Sequence, residues 1–129
     1  MGAYKLLING QMVDGELSMD VVNPATEEKL ADCPRASESQ LNAAVAAAKA
    51  AFPAWSKTSI DERKAAVLKI ADVVEANAAE LAQLLTKEQG KPIEDATVEV
   101  YGMAAFCRYF TSLDLPVEVL EDSEGRRVE

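Results

Sequence analysis

A mostly α-helical chain with short strands at its N-terminus is the fold class the sequence predicts, on three observations. Four stretches between residues 37 and 113 repeat apolar side chains every three or four positions, the spacing that lines one face of a helix. Start and stop residues punctuate them: Ser37, Ser59 and Pro92 at beginnings, Pro53, Asn77 and Gly90 at ends. Ahead of them, residues 1–34 hold extended runs broken by Asn9-Gly10, Asp14-Gly15 and Asn23-Pro24, all turn dipeptides. The chain thus divides into strands at 1–34, helices at 37–113 and the start of further strands at 115–129.

Lys5-Leu6-Leu7-Ile8 and Gln11-Met12-Val13 flank Asn9-Gly10, the dipeptide best suited to the two positive φ values of a type I′ turn, so a hairpin is expected. Asp14-Gly15 turns the chain again. Residues 18–22 and 29–33 are two more extended pieces around Asn23-Pro24, where proline fixes its own φ and keeps the preceding residue out of the helical region. An isolated hairpin is marginal in water, so these strands need a surface to lie on.

The first helix should begin near Ser37 or Ser39, with Ser37 and Gln40 in capping-box positions and Leu41, Ala44, Val45, Ala48 and Phe52 on one face. Pro53 is expected to end it. The second follows Ser59, with Glu62 reaching back to the cap and Asp61 and Glu62 complementing the helix dipole. Its apolar face reads Ala66, Ile70, Val73 and Val74, and it breaks near Asn77. The third, residues 79–89, should bury Leu81, Leu84 and Leu85 and stop at Gly90, the usual left-handed cap. Pro92 opens the fourth, which runs to about Phe110 with Val100, Met103, Ala104, Cys107 and Phe110 aligned. Residues 115–120 read as a strand, followed by a charged turn and Arg126-Arg127-Val128-Glu129. That last segment has no later partner strand, so the chain is expected to end at a cut through a larger unit.

Composition narrows the function classes. With 49% hydrophobic residues but 5% aromatics, the core must be built from Ala, Val, Leu and Ile. Thirteen Lys and Arg against 22 acids give a net charge of −9, which repels phosphate backbones and excludes nucleic acid as a partner. Histidine is absent and the two cysteines, Cys33 and Cys107, lack metal-binding spacing, which excludes the usual zinc sites and a disulfide framework. Met1-Gly2-Ala3-Tyr4-Lys5-Leu6-Leu7 lacks the apolar run of a secretory signal, and position 6 is Leu where myristoylation wants Ser or Thr. The longest wholly apolar run, residues 43–48, is too short to span a bilayer, so no membrane partner and a cytoplasmic location are expected.

Five motifs carry a family resemblance: Asn23-Pro24-Ala25-Thr26-Glu27-Glu28-Lys29-Leu30-Ala31, Phe52-Pro53-Ala54-Trp55, Ile60-Asp61-Glu62-Arg63, Glu88-Gln89-Gly90-Lys91-Pro92 and Arg108-Tyr109. In this order and at about these spacings they resemble the N-terminal part of the NAD(P)-dependent aldehyde dehydrogenases, enzymes several times longer. The resemblance implies an α/β parent fold of Rossmann type, with residues 1–129 the incomplete N-terminal part of its cofactor-binding domain. It also implies a homodimeric or homotetrameric parent that oxidises an aldehyde to a carboxylic acid with NAD or NADP. That chemistry uses a cysteine nucleophile, a glutamate base and an oxyanion hole of main chain and asparagine, none of which lies in this chain. No catalytic residue and no bound NAD or NADP is therefore expected here, and the isolated chain should be inactive.

The remaining candidates are weighed on their own chemistry. Gly90-Lys91 is no phosphate loop, because Leu85 stands where the earlier glycine is needed and Pro92 where Ser or Thr is needed. The six glycines contain no GxGxxG. Cys107 falls on an apolar helix face, where burial raises a thiol's pKa, and is read as packing; nothing near Cys33 would stabilise a thiolate. Trp55 is read as an anchor of the inter-helix loop on the core. Asp61, Glu62, Glu75, Glu80, Glu94 and Asp95 are read as solvated carboxylates. The resemblance implies one metal site: a monovalent cation between the Val22 carbonyl, just before the Asn-Pro turn, and the Glu99 carboxylate, hard oxygen donors of the right kind. A surface salt bridge is the competing reading of Glu99.

Two functions stand at this point. One is the N-terminal piece of an aldehyde dehydrogenase; the other is a free-standing helical interaction module descended from such an enzyme. Apolar faces carrying Ile70, Val73, Val74, Leu81, Leu84, Leu85, Met103 and Phe110 lack the sheet they would cover in a complete enzyme, so self-association is expected.

Overall fold

The structure is a computed structural model that describes residues 4–128. Three antiparallel ribbons and four helices follow in the order β1 (Leu6–Ile8), β2 (Gln11–Val13), β3 (Leu17–Val22), β4 (Lys29–Arg35), α1 (Glu38–Trp55), α2 (Ile60–Ala76), α3 (Ala78–Gln89), α4 (Ile93–Ser112), β5 (Glu121–Ser123) and β6 (Arg126–Val128). Each ribbon has two strands, and the three do not join into one sheet.

Asn9 and Gly10 carry φ of 51° and 75°, the positive pair that a type I′ turn needs, and β1 and β2 pair on either side. Gly15 serves a different end. A Cβ there would lie 2.9 Å from the Arg35 backbone, so it is glycine because β4 passes too close for a side chain. β4 runs past the expected end at Cys33, through Pro34 to Arg35. A two-stranded ribbon has an unpaired edge on each strand, where proline's missing N–H removes no ladder bond. At the other end, the Asn23 side chain accepts from the Ala25 amide at 2.9 Å, Asn23 N–H donates to Glu28 O at 2.9 Å, and Glu27 takes a φ of 59° to close the turn.

Both capping boxes form. Ser37 and Gln40 close α1, and Ser59 and Glu62 close α2. Pro53 does not end α1, which continues to Trp55. In the last turn a proline removes a single ladder bond. The carbonyls at the helix end find partners: Ser56 N–H donates to Phe52 O at 2.8 Å, and Thr58 Oγ1 donates to Trp55 O at 2.6 Å. Gly90 adopts φ of 72° and caps α3 as expected.

The core lies where α4 crosses α2 and α3, and it is made of small residues: Ala71, Val74, Ala78, Ala82, Ala96, Val100 and Ala104. Val74, Val100 and Ala104 of the expected faces are in it, and Leu85 and Cys107 pack against it, but the larger residues of those faces are not. Ile70, Val73, Met103 and Phe110 are half or more exposed and Leu81 is at the surface, while Leu84 and Leu85 are only half buried. Alanine at the crossings lets the helix axes approach closely, and that geometry turns the larger neighbours outward. None of the expected α1 face is buried: Leu41, Val45 and Phe52 are all more than half exposed. Residues 115–120 form no strand; the C-terminal ribbon instead pairs β5 with β6 around Gly125 at φ 81°. The segment at 126–128 thus has its partner before it in sequence. Glu129 lies outside the described residues.

Candidate functional site

The region that holds the implied cation ligands is built from two turns laid against each other. Val22 ends β3, paired with Lys29 just after a register shift between Val21 and Val22, and Asn23-Pro24 follows. The Pro24 ring sits over the α3 cap: a Cβ on Gly90 would come within 3.0 Å of Pro24 Cγ. From Gly90 the chain moves to Lys91, whose ammonium donates to the Glu99 carboxylate on α4. Oxygen donors of the kind a monovalent cation takes are therefore present on Val22 and Glu99, but Lys91 already neutralises Glu99. Among the described residues no three His, Cys, Asp or Glu side chains cluster as a metal site.

The residues fit a dinucleotide poorly. A helix N-terminus attracts phosphate through free N–H groups and its dipole, but here the first turns carry acids: Glu38 on α1, Asp61 and Glu62 on α2, Glu80 on α3, Glu94 and Asp95 on α4. At α2 the Glu62 carboxylate accepts from both Ser59 N–H at 2.8 Å and Ser59 Oγ at 2.9 Å, bonds that hold its pKa below the usual value. The ends of α1 and α2 bind their own side chains, and the acids in the first turns of all four would repel a diphosphate.

Cys107 is half buried against the helical core, as its reading required. Cys33 is also half buried, with its thiol directed at the Pro34 carbonyl 3.8 Å away. Trp55 departs from its expected role as a core anchor: it is 51% exposed, and its backbone carbonyl ties the loop by accepting from Thr58. Of the acids read as solvated, Glu75 holds Arg108 of the Arg108-Tyr109 motif at 2.6 Å, and Asp72, one turn earlier on α2, joins it at 2.9 Å. Those hydrogen bonds, Glu75 first, raise the guanidinium pKa and staple α4 to α2. On the β3–β4 ribbon Asp20 and Asp32 face each other, and Lys29 bridges them at 2.9 and 2.6 Å, its pKa raised by bonds to Asp32 and Asp20.

Sequence reasoning missed the reach of Gln40. Besides its capping bond, its Nε2 donates to Asp14 O at 2.8 Å and its Oε1 accepts from Glu16 N–H at 3.0 Å, tying α1 to the turn before β3. It also missed an open apolar cleft of about 690 Å³ that runs along α4 and reaches Val67 of α2, lined also by Val98, Gly102, Met103, Phe106 and Phe110. Among the described residues no helix is long and apolar enough to cross a membrane.

Comparison with known proteins matches this architecture. Residues 12–123 match the aldehyde dehydrogenase family. A probable aldehyde dehydrogenase of a Pseudomonas species is 43% identical over 96% of this chain and 25% of its own length. The mitochondrial acylating methylmalonate-semialdehyde/malonate-semialdehyde dehydrogenase of Rattus norvegicus is 40% identical over 75% of this chain and 18% of its own length. The crystal structure of PnpE in complex with nicotinamide adenine dinucleotide superposes with a TM-score of 0.86 at 36% identity, covering 95% of this chain and 26% of that one. The chain spans about a quarter of the relatives it matches. By motif order, fold and sequence match alike, it belongs to the aldehyde dehydrogenase family.

Proposed function

We propose that these 129 residues are the N-terminal part of an NAD(P)-dependent aldehyde dehydrogenase that oxidises an aldehyde to a carboxylic acid, and that they contribute scaffold rather than chemistry. The observation that carries this reading is the inverted packing of α2–α4, with alanines inside and the large apolar side chains outside. α4 is apolar on nearly every side, as a helix is when it lies inside a larger protein. Val98, Phe106 and Phe110 are all more than 60% exposed. A sheet laid over them would complete a core.

The role of this chain's own residues is then positional. Pro24 over Gly90, the Lys91–Glu99 pair and the Arg108 staple fix the relative placement of the N-terminal turn and α4. The proposal includes a monovalent cation between the Val22 carbonyl and Glu99, in competition with Lys91. Bound NAD or NADP would supply the hydride acceptor in the whole enzyme; nothing described here cradles it.

The test compares the protein translated from the whole reading frame with the 129-residue chain. The longer protein should reduce NAD or NADP with at least one of a panel of aliphatic, aromatic and semialdehyde substrates, and the short chain should neither turn over nor bind either dinucleotide in titration calorimetry. Micromolar binding by the short chain, or a frame that stops at Glu129, would overturn the assignment in favour of an independent helical module.

A further inference from the structure

The last four carbonyls of a helix have no partner in its own ladder, and at the end of α1 each is taken up by the loop that follows. Ser56 N–H donates to Phe52 O at 2.8 Å and Ser56 Oγ to Pro53 O at 3.2 Å, while Lys57 N–H reaches Ala54 O and Thr58 N–H reaches Trp55 O, both at 3.1 Å. The loop's own carbonyls are held from the other side. Arg63, in the first turn of α2, donates from Nε to Thr58 O at 3.1 Å, and from Nη2 to Thr58 O at 2.8 Å and Ser56 O at 3.4 Å. A chain of bonds thus runs from α1 through residues 56–58 to the guanidinium.

The charge of Arg63 does not serve its own helix. A cation in a first turn opposes the helix dipole, and Asp61 and Glu62 are the residues there that suit it. α1 has the converse lack, with no basic residue in its last turn. Arg63 supplies that charge from the next helix, and its flat fork can serve two carbonyls at once, where an ammonium acts as a point. No residue of α1 is buried, so packing within these residues does not decide how α1 leaves α2.

We infer that Arg63 is a positioning residue: it clamps residues 56–58 and so holds the last turn of α1 in place against the start of α2. The Ile60-Asp61-Glu62-Arg63 motif then has two tasks, Glu62 closing the cap of α2 and Arg63 closing the end of α1. Pro53 gives the clamp its consequence, because proline removes a ladder bond at that turn and leaves more of the holding to the residues beyond it. The contact is confined to residues 52–63 and stands apart from the dehydrogenase reading.

Site-resolved hydrogen exchange on the full 129-residue chain tests it, since the amides of Ser56, Lys57 and Thr58 are the ones bonded to α1. Arg63→Ala should speed exchange at these three by about tenfold, as the loss of a charge-assisted bond implies. It should also raise tryptic cleavage after Lys57. Exchange in α3 and α4 and the thermal midpoint should stay as they are, because alanine favours the helix and the adverse charge is gone. Arg63→Lys keeps the charge without the fork and should fall between the two. Equal acceleration of every amide in Arg63→Ala would make Arg63 a general stabiliser and overturn the clamp. Unchanged exchange at residues 56–58 would make it a solvated cation and overturn it too. If Arg63→Lys matched the unmodified chain while Arg63→Ala did not, the two-carbonyl contact would be rejected.

Discussion

α1 and the α2–α4 unit are built from similarly good helical sequence, yet they stand in different physical situations. α1 is 18 residues long, closed by a complete capping box, and none of its residues is buried. α2, α3 and α4 are no better capped, since α3 and α4 lack any side-chain cap bond, but they share a core. Local hydrogen bonding can thus define where a helix begins without anything to pack on, while a core can hold helices whose ends are unassisted. The two should respond differently to substitution.

The largest effect is expected inside the crossing. Ala104 has no exposed surface, so Ala104→Leu forces α4 away from α2 and should destabilise the unit by about 1–3 kcal/mol. Ala48→Leu on exposed α1 should be close to neutral in the same thermal melt. Equal losses at the two positions would mean that α1 packs as tightly as α2–α4 and would erase the contrast.

The caps provide a finer comparison. Ser59→Ala removes the bonds that start α2 and should lower the stability of the cooperative unit by about 1 kcal/mol. Ser37→Ala removes a similar cap from α1, but its effect should appear as faster hydrogen exchange in α1 rather than as a shift of the main transition. A shift of the main transition by Ser37→Ala would show that α1 unfolds with the rest.

A smaller effect follows pH through Glu62. Its folded pKa is lowered from 4.5 by the Ser59 bonds, so its stabilising contribution is complete above about pH 4.5 and is lost as pH falls through the lowered value. Glu62→Gln should flatten that part of the stability profile. An unchanged acid limb in the variant would assign it to other carboxylates. The smallest expected effect concerns the cation: replacing sodium or potassium by a large organic cation should lower the melting temperature slightly, Lys91→Ala should enlarge the difference by freeing Glu99, and Glu99→Gln should abolish it. An ion effect that persists in Glu99→Gln would return Glu99 to a plain partner of Lys91.

Much of the fold was legible in the residues, and the reasons are local. Asn9-Gly10, Ser37 with Gln40, Ser59 with Glu62, and Gly90 each satisfy backbone groups no more than four residues away, so their structures are written in adjacent sequence. The misreadings share a cause as well. The general rule for Pro53 omits the hydroxyls of Ser56 and Thr58, which support the last turn of α1. Residues 115–120 have strand-like alternation but no neighbouring strand to pair with.

The burial pattern was decided by tertiary structure. The spacing Ala96, Val100, Ala104 is visible in the sequence, but so is that of Met103, Cys107 and Phe110 on the same helix. A helix that is apolar on several sides does not state which side its neighbours take. Close crossing by α2 and α3 chose the side with alanines, because small side chains allow the shortest distance between axes. For the same reason the sequence could name Glu99 but not its partner: Lys91 is eight positions away, and only the α3–α4 turn, held under Pro24, brings its ammonium to the carboxylate. The sequence by itself determined helix starts, turns and the family; the packing of α4 determined which of its apolar sides remains open, since that depends on what lies against it.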